Sequence, residues 1–167
     1  PSTNGVALNL GTATATGTIY DDGSDPDGDG PATPYDSDQP TVSIAVSPSG
    51  ISEGDASETS AMTYTVSLSN PSAFATKVYV ALSGTATAAD YAAAGLTAET
   101  VDGVTSYYVT IAAGQTSTTF TVDPVGDTVF EGAETVVATI SSPSTNGVAL
   151  NLGTATATGT IYDDGSD

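Results

Sequence analysis

A chain of 167 residues has room for one domain and an appendage. Its fifteen Asp and five Glu face a single cation, Lys77, with no Arg and no His, and the net charge of −19 repels nucleic acid and anionic membranes while attracting cations. Cysteine is absent, so no disulfide or thiolate metal site stabilises the fold; no apolar run approaches the roughly 18 residues of a membrane span, and no signal peptide opens the sequence, as none would in a fragment of a longer chain.

In chain order, the first element is one of two copies of a single segment. Pro1 to Asp25, PSTNGVALNLGTATATGTIYDDGSD, recurs unchanged as Pro143 to Asp167, an offset of 142 residues. Residues 1–22 therefore read as the terminal strands of a preceding identical repeat, residues 23–38 as a linker, and residues 39–167 as one full repeat. Identity of this extent points to recent tandem duplication and to a long parent array in which each module touches its identical neighbours. The orphan strands carry Val6, Leu8, Leu10 and Ile19 without a body to cover them. They are expected to be either mobile or paired with another molecule, because an uncharged open strand invites pairing.

The linker holds the densest charge: seven of the Asp lie between Asp21 and Asp38. Within it, DPDGDGPATPYD places Asp25, Asp27, Asp29, Gly30 and Asp36 at positions 1, 3, 5, 6 and 12 of a calcium loop. Alternate carboxylates point inward, the glycine permits the sharp turn, and the distant acid closes the coordination sphere. Position 7, Pro31, needs only its carbonyl. Two departures are Asp in place of Glu at the end and the lack of flanking helices. The competing reading is a solvated acidic spacer, against which stands the mutual repulsion of three Asp in five residues without a cation.

Beyond the linker the chain alternates with period two. TVSIAV sets Val42, Ile44 and Val46 on one face, and MTYTVSLS does so with Met62, Tyr64, Val66 and Leu68. KVYVALS offers Val78, Val80 and Leu82, YYVTIA offers Tyr107, Val109 and Ile111, and STTFTV offers Phe120 and Val122. ETVVATIS supplies Val136, Ala138 and Ile140, and the final segment Leu150, Leu152 and Ile161. Thr and Ser fill the alternate positions, as a half-solvated strand prefers. SPSG, SNPS, AAGQ and PVGD supply turn chemistry between the strands. ADYAAAGL has room for one helical turn at most. The pattern, seven or so short strands, predicts an all-β fold, an antiparallel β-sandwich.

A second acidic set is spread along the repeat: Glu53 in SEGD, Asp90 in AADY, Asp127, Glu131 and Glu134 in GDTVFEGAE, and Asp163 and Asp164 in IYDDG. Each sits at a strand end or in the following turn, and such ends converge on one pole of a sandwich. Any one of them alone is more often a solvated turn residue than a ligand. In the orphan copy Asp21 and Asp22 match Asp163 and Asp164, without the partners of the missing unit; they bind weakly or assist the loop that begins at Asp25. Asp55 and Asp102 are further candidate contacts, read in preference as solvated turn residues.

The succession SEGD, DY, GDTVFEGAE and the closing GTIYDDG over residues 40–165 resembles the Calx-β domain, named for the calcium-sensing domains of Na⁺/Ca²⁺ exchangers; similar modules recur in bacterial surface adhesins and RTX-type proteins. The resemblance implies a seven-stranded antiparallel immunoglobulin-like sandwich with Ca²⁺ at the pole where the chain exits, held by Glu53, Asp90, Asp127, Glu131, Glu134, Asp163 and Asp164. The sensor domains carry further acids where this chain has Gly126 and Thr128, which implies fewer or weaker ions.

The leading expectation is a calcium-binding extender module of an extracellular, bacterial-surface adhesin, rigidified by Ca²⁺ at its junctions to project a distal adhesive domain. A regulatory Ca²⁺ sensor is the second class, and a carbohydrate- or ice-binding module the third. For ice there are Thr-rich strands such as GTATATGT; against sugar stands the absence of Trp, with the eight Tyr read as core or strand residues. An enzyme is not expected: no His or Cys exists to act as base or nucleophile, and Glu131 and Glu134 sit among other acids rather than as an isolated pair.

Overall fold

Alternation of aliphatic with hydroxyl side chains makes one face of each strand seek cover and leaves the other content in water. The computed structural model describes residues 2–3, 6–7, 14, 16, 39–54, 61–127 and 130–163, which fall into two compact units, Pro1–Asp38 and Gln39–Asp167. In the first unit β1 (Ser2–Thr3) pairs antiparallel with β2 (Val6–Ala7), Ser2 opposite Ala7 and Thr3 opposite Val6.

The second unit runs β3 (Thr41–Ser47), β4 (Gly50–Ser52), β5 (Met62–Leu68), β6 (Thr76–Gly84), β7 (Tyr91–Ala94), β8 (Thr97–Val101), β9 (Val104–Ile111), β10 (Ser117–Pro124), β11 (Glu134–Thr145), β12 (Val148–Ala149), β13 (Asn151–Leu152) and β14 (Thr156–Tyr162). No helix occurs among the described residues. The seven long strands, β3, β5, β6, β9, β10, β11 and β14, are those the alternation predicts; the short ones were not legible. One sheet has the order β13-β3-β5-β10-β7, and the other β4-β14-β11-β6-β9-β8, with β12 beside β11. Pairing is antiparallel except at two short contacts, β13 with β3 and β14 with β4. They arise because β3 and β4 are one run split between the sheets.

The ADYAAAGL segment is a turn over 88–90 followed by strand β7. Alanine favours helix, but here the run pairs with β10, Ala93 opposite Val122, and the Val125 amide donates to the Asp90 carbonyl at 2.9 Å. Sheet pairing overrides propensity.

The inner faces meet in a core of Val42, Ile44, Met62, Val66, Val78, Val109, Ile111, Val122, Val136 and Ile140, all buried. Tyr64 and Phe120 stand opposite in register and stack with centroids 5.0 Å apart. The Tyr64 hydroxyl donates to the Val136 carbonyl of the other sheet at 2.8 Å, and burial pushes its phenol up to about 12. Not every alternating apolar residue is covered: Tyr107 and Leu152 are exposed.

The registers fix a pole. Glu134 lies opposite Ile161, Ile161 beside Ile51, Val136 opposite Gly84, and Pro124 opposite Tyr91. Hence the ends of β4, β6, β10 and β14 and the starts of β7 and β11 share one end of the sandwich.

Candidate metal centre

Three loops and one strand terminus deliver acids to that pole. Asp90 closes the turn after β6: its amide donates to the Thr87 carbonyl at 3.2 Å, and its Oδ2 accepts the Thr87 amide at 2.5 Å. Glu131 lies in the β10–β11 loop, and its amide donates to Asp163 Oδ2 at 2.7 Å, just past the end of β14. Glu134 is the first residue of β11. Carboxylate oxygens of Asp90, Glu131 and Glu134 all lie within 4.8 Å of one another, and the three residues are half-buried.

The electrostatics are asymmetric. The Thr87 amide, then the Thr87 hydroxyl, hold the Asp90 carboxyl below its ordinary range, with Glu134 adding a further hydrogen bond. Partial burial first, then the charge of Asp90 and the hydrogen bond shared with it, push Glu134 up, and Glu131 contributes further repulsion. Glu131 is likewise raised by partial burial, then by the charges of Asp90, Asp127 and Asp163. Without a cation these acids resist ionising together.

Of the seven acids in the repeat's set, Asp90, Glu131 and Glu134 therefore come together. Asp163 touches the group through the Glu131 backbone, and Asp127 through its field on Glu131. Glu53 is buried at the same pole, its amide donating to the Tyr162 carbonyl at 2.9 Å. Asp164, Asp55 and the linker and orphan acids Asp21, Asp22, Asp25, Asp27, Asp29 and Asp36 lie outside the described residues, as does Thr128. Asp102 is an exposed residue of the β8–β9 turn, with φ of 51°, and is not among the acids that cluster.

Two residues carry weight that the sequence reading did not assign. Thr87 orients Asp90, and a Thr three residues before an Asp in a turn is a legible signal for it. Gly126 is a point of close approach: a Cβ there would lie 1.8 Å from the Gly54 carbonyl oxygen. The lack of an acid at 126 thus has a packing cause, because the loop bearing Glu53 occupies the space.

Oxygen donors only, with no nitrogen or sulfur among them, suit a hard cation. Two ligands across a Ca²⁺ ion at 2.3–2.6 Å each stand up to about 5 Å apart, so the spread of these oxygens fits such an ion.

No protein-family model matches the chain, and no curated protein does. Solved structures do. The chain is similar to CBD12 from CALX1.2 (TM-score 0.51, 19% identity, covering 73% of this chain and 44% of that one). It is similar also to the calcium binding domain CBD12 of CALX1.1 (0.51, 21%, 72% and 45%) and to the Calx CBD2 domain (0.51, 11%, 74% and 87%). It spans under half the length of the first two, and at these identities the likeness is one of fold: the all-β sandwich.

Proposed function

We propose that this chain is a calcium-binding extender module of a tandem-repeat bacterial surface adhesin, working outside the cell. The observation that carries the calcium reading is the convergence of the Asp90 oxygen from the β6–β7 turn with those of Glu131 and Glu134 from the β10–β11 loop and the start of β11, in a protein of net charge −19. The neighbouring folds include a domain described as calcium binding, which supports the same reading. Asp90, Glu131 and Glu134 would hold the ion directly, with Asp163, Asp127 and Glu53 as the nearest further acids. Bound there, Ca²⁺ supplies positive charge that lets all of these carboxylates ionise in one place. The Asp25, Asp27, Asp29 and Asp36 loop is proposed as a second site on its spacing alone.

The extender role is supported by the repeated 25 residues and by the topology of the sandwich. Gln39 and Asp163 bound the described part of the repeat at opposite ends of the strands, so successive modules would follow one another pole to pole. Exposed Val125, Phe130 and Tyr162 around the acids offer apolar surface to a following module. We propose no catalytic role for the module, whose sequence contains no His or Cys and whose one lysine is paired with Glu99.

The test is a thermal melt of this chain in millimolar Ca²⁺, in Mg²⁺ and in excess chelator. Extracellular calcium sites have Kd of about 10⁻⁴ to 10⁻³ M. An ion at ten times its Kd adds about 1.4 kcal/mol per site, a rise of several degrees. Identical melts in calcium and chelator would remove the calcium reading. Small-angle scattering on a chain of several repeats tests the extender role separately: calcium should lengthen and stiffen it.

A further inference from the structure

Beside the acidic pole, the free edges of the two sheets face each other across a cleft of about 740 Å³. The five-stranded sheet ends in β7 and the other in β8, joined through Gly95 and Leu96. The cleft opens there for a local reason. Strand β7 reads YAAA, and its alanines leave unfilled the inter-sheet space that Val and Ile occupy deeper in the core. Packed interiors leave few voids larger than a water molecule, so a concavity of this size is a distinct feature of the surface.

Its lining is chemically selective. Leu82, Leu96 and Ala93 supply aliphatic walls, Tyr91 and Tyr107 supply rings, and Tyr107 is 48% exposed. Among the described residues, every polar residue of the lining carries a hydroxyl, from Tyr, Ser or Thr, and none is charged. In a molecule of net charge −19 this is an uncharged recess on an anionic surface, from which anions are repelled. Ligand sites typically span about 300–1,000 Å³ and join apolar and aromatic walls to a few polar groups. Hydroxyls both donate and accept hydrogen bonds, and thus match a ligand whose own polar groups are hydroxyls. Flat ring faces suit the C–H faces of a sugar ring.

From these features we infer that the cleft between β7 and β9 binds a neutral saccharide. It would be a second site on the module, sharing no residue with the proposed cation site, though Ala88 and Tyr91 of its lining flank Asp90. Tyr107 and Tyr91 stack on the sugar, and the Thr105 hydroxyl, on the same face of β9 as Tyr107 and 3.0 Å from the Thr100 hydroxyl, hydrogen-bonds its hydroxyls. With tyrosine in place of the larger tryptophan, affinity falls in the millimolar range, about 4 kcal/mol of binding free energy.

The experiment is amide NMR on the full 167-residue chain in calcium buffer, titrated with cellobiose, maltose and lactose, and with sialyllactose as the charged control. At least one neutral disaccharide should shift the amides of Tyr91, Leu96, Ser106 and Tyr107 saturably, and sialyllactose should bind less well. Tyr107→Ser should weaken binding about tenfold. Ala93→Leu, which fills the cleft, should abolish it while the core amide shifts stay in place. Silence of all three neutral sugars up to about 10 mM would overturn the inference. So would shifts that persist in Ala93→Leu, which would put the binding elsewhere. A response to hexanol with none to the sugars would overturn it too, assigning the cleft to an apolar ligand. None of these outcomes bears on the calcium melt.

Discussion

The Glu131 amide donates to Asp163 Oδ2 at 2.7 Å, joining two residues 32 apart in sequence. That bond ties the β10–β11 loop to the residue following β14, so the loop bearing two of the clustered acids is held by a third acid that lies beside the chain's exit.

Asp163→Ala should therefore act on the fold as well as on the ion. A hydrogen bond to a charged acceptor contributes about 1.5–3 kcal/mol, so the variant should lose about 2 kcal/mol in a urea melt with chelator present. In calcium its deficit should be larger still. A variant as stable as the parent in chelator would mean that the loop is held by other contacts.

Gly126→Asp would add one more acid to the loop that leads to Asp127, yet it should weaken the protein. Its Cβ would lie 1.8 Å from the Gly54 carbonyl oxygen, a backbone atom that cannot swing aside. We expect a loss of about 2 kcal/mol or more and no gain in calcium affinity. Calorimetric titration beside a thermal melt separates the two effects.

Stability without metal should rise on mild acidification. Glu131 and Glu134 have folded-state pKa values above the ordinary glutamate value, so between the two values the folded state binds more protons than the unfolded one. Lowering the pH from about 7 to about 5 in chelator should then raise the urea midpoint. Asp90 works in the opposite sense: its contribution is present above the ordinary aspartate range and is lost as pH falls through its lowered value. Because reduced net charge also favours folding on acidification, the check is the Glu131→Gln, Glu134→Gln double variant. Its slope over that window should be flatter than the parent's, and an equal slope would contradict the arrangement.

Lys77 ties down an edge of the sheet. Its Nζ lies 2.6 Å from Glu99 Oε2 and over the Tyr108 ring at 4.1 Å, while the Tyr79 hydroxyl donates to the same Glu99 oxygen. The contact reaches from β6 across β9 to β8. Lys77→Met should speed hydrogen exchange at the β8 amides, and Glu99→Gln should do so less, since Gln still accepts from Tyr79. Both effects should shrink little in salt if the tyrosine contacts share the load, and should vanish in salt if only the ion pair matters.

Much of this protein is written locally. STNGVA forms the same hairpin in both copies: Ser2 and Thr3 face Ala7 and Val6 as Ser144 and Thr145 face Ala149 and Val148. In the second copy Asn146 and Gly147 take φ of 46° and 79°, which an Asn-Gly pair accepts readily. Alternation likewise marks the seven long strands, because a period of two needs only the chain itself to be read. Turns, charge and the repeat are legible for the same reason.

Tertiary structure decided the rest. Which acids meet depends on sheet order, and only the pairing of β14 with both β11 and β4 brings the Glu53, Glu131 and Asp163 segments to one end. The alanine run of β7 became a strand, not a helical turn, because β10 offered it backbone partners. Gly126 reads as a lost ligand position in the sequence and proves to be the place where another loop packs. The tyrosines, read as core and strand residues, divide in space: Tyr64 locks the two sheets together, while Tyr91 and Tyr107 line a cleft that exists only where two sheet edges face each other. In each case the deciding interaction spans tens of residues, so its energy depends on the assembled sandwich and leaves no local pattern in the chain.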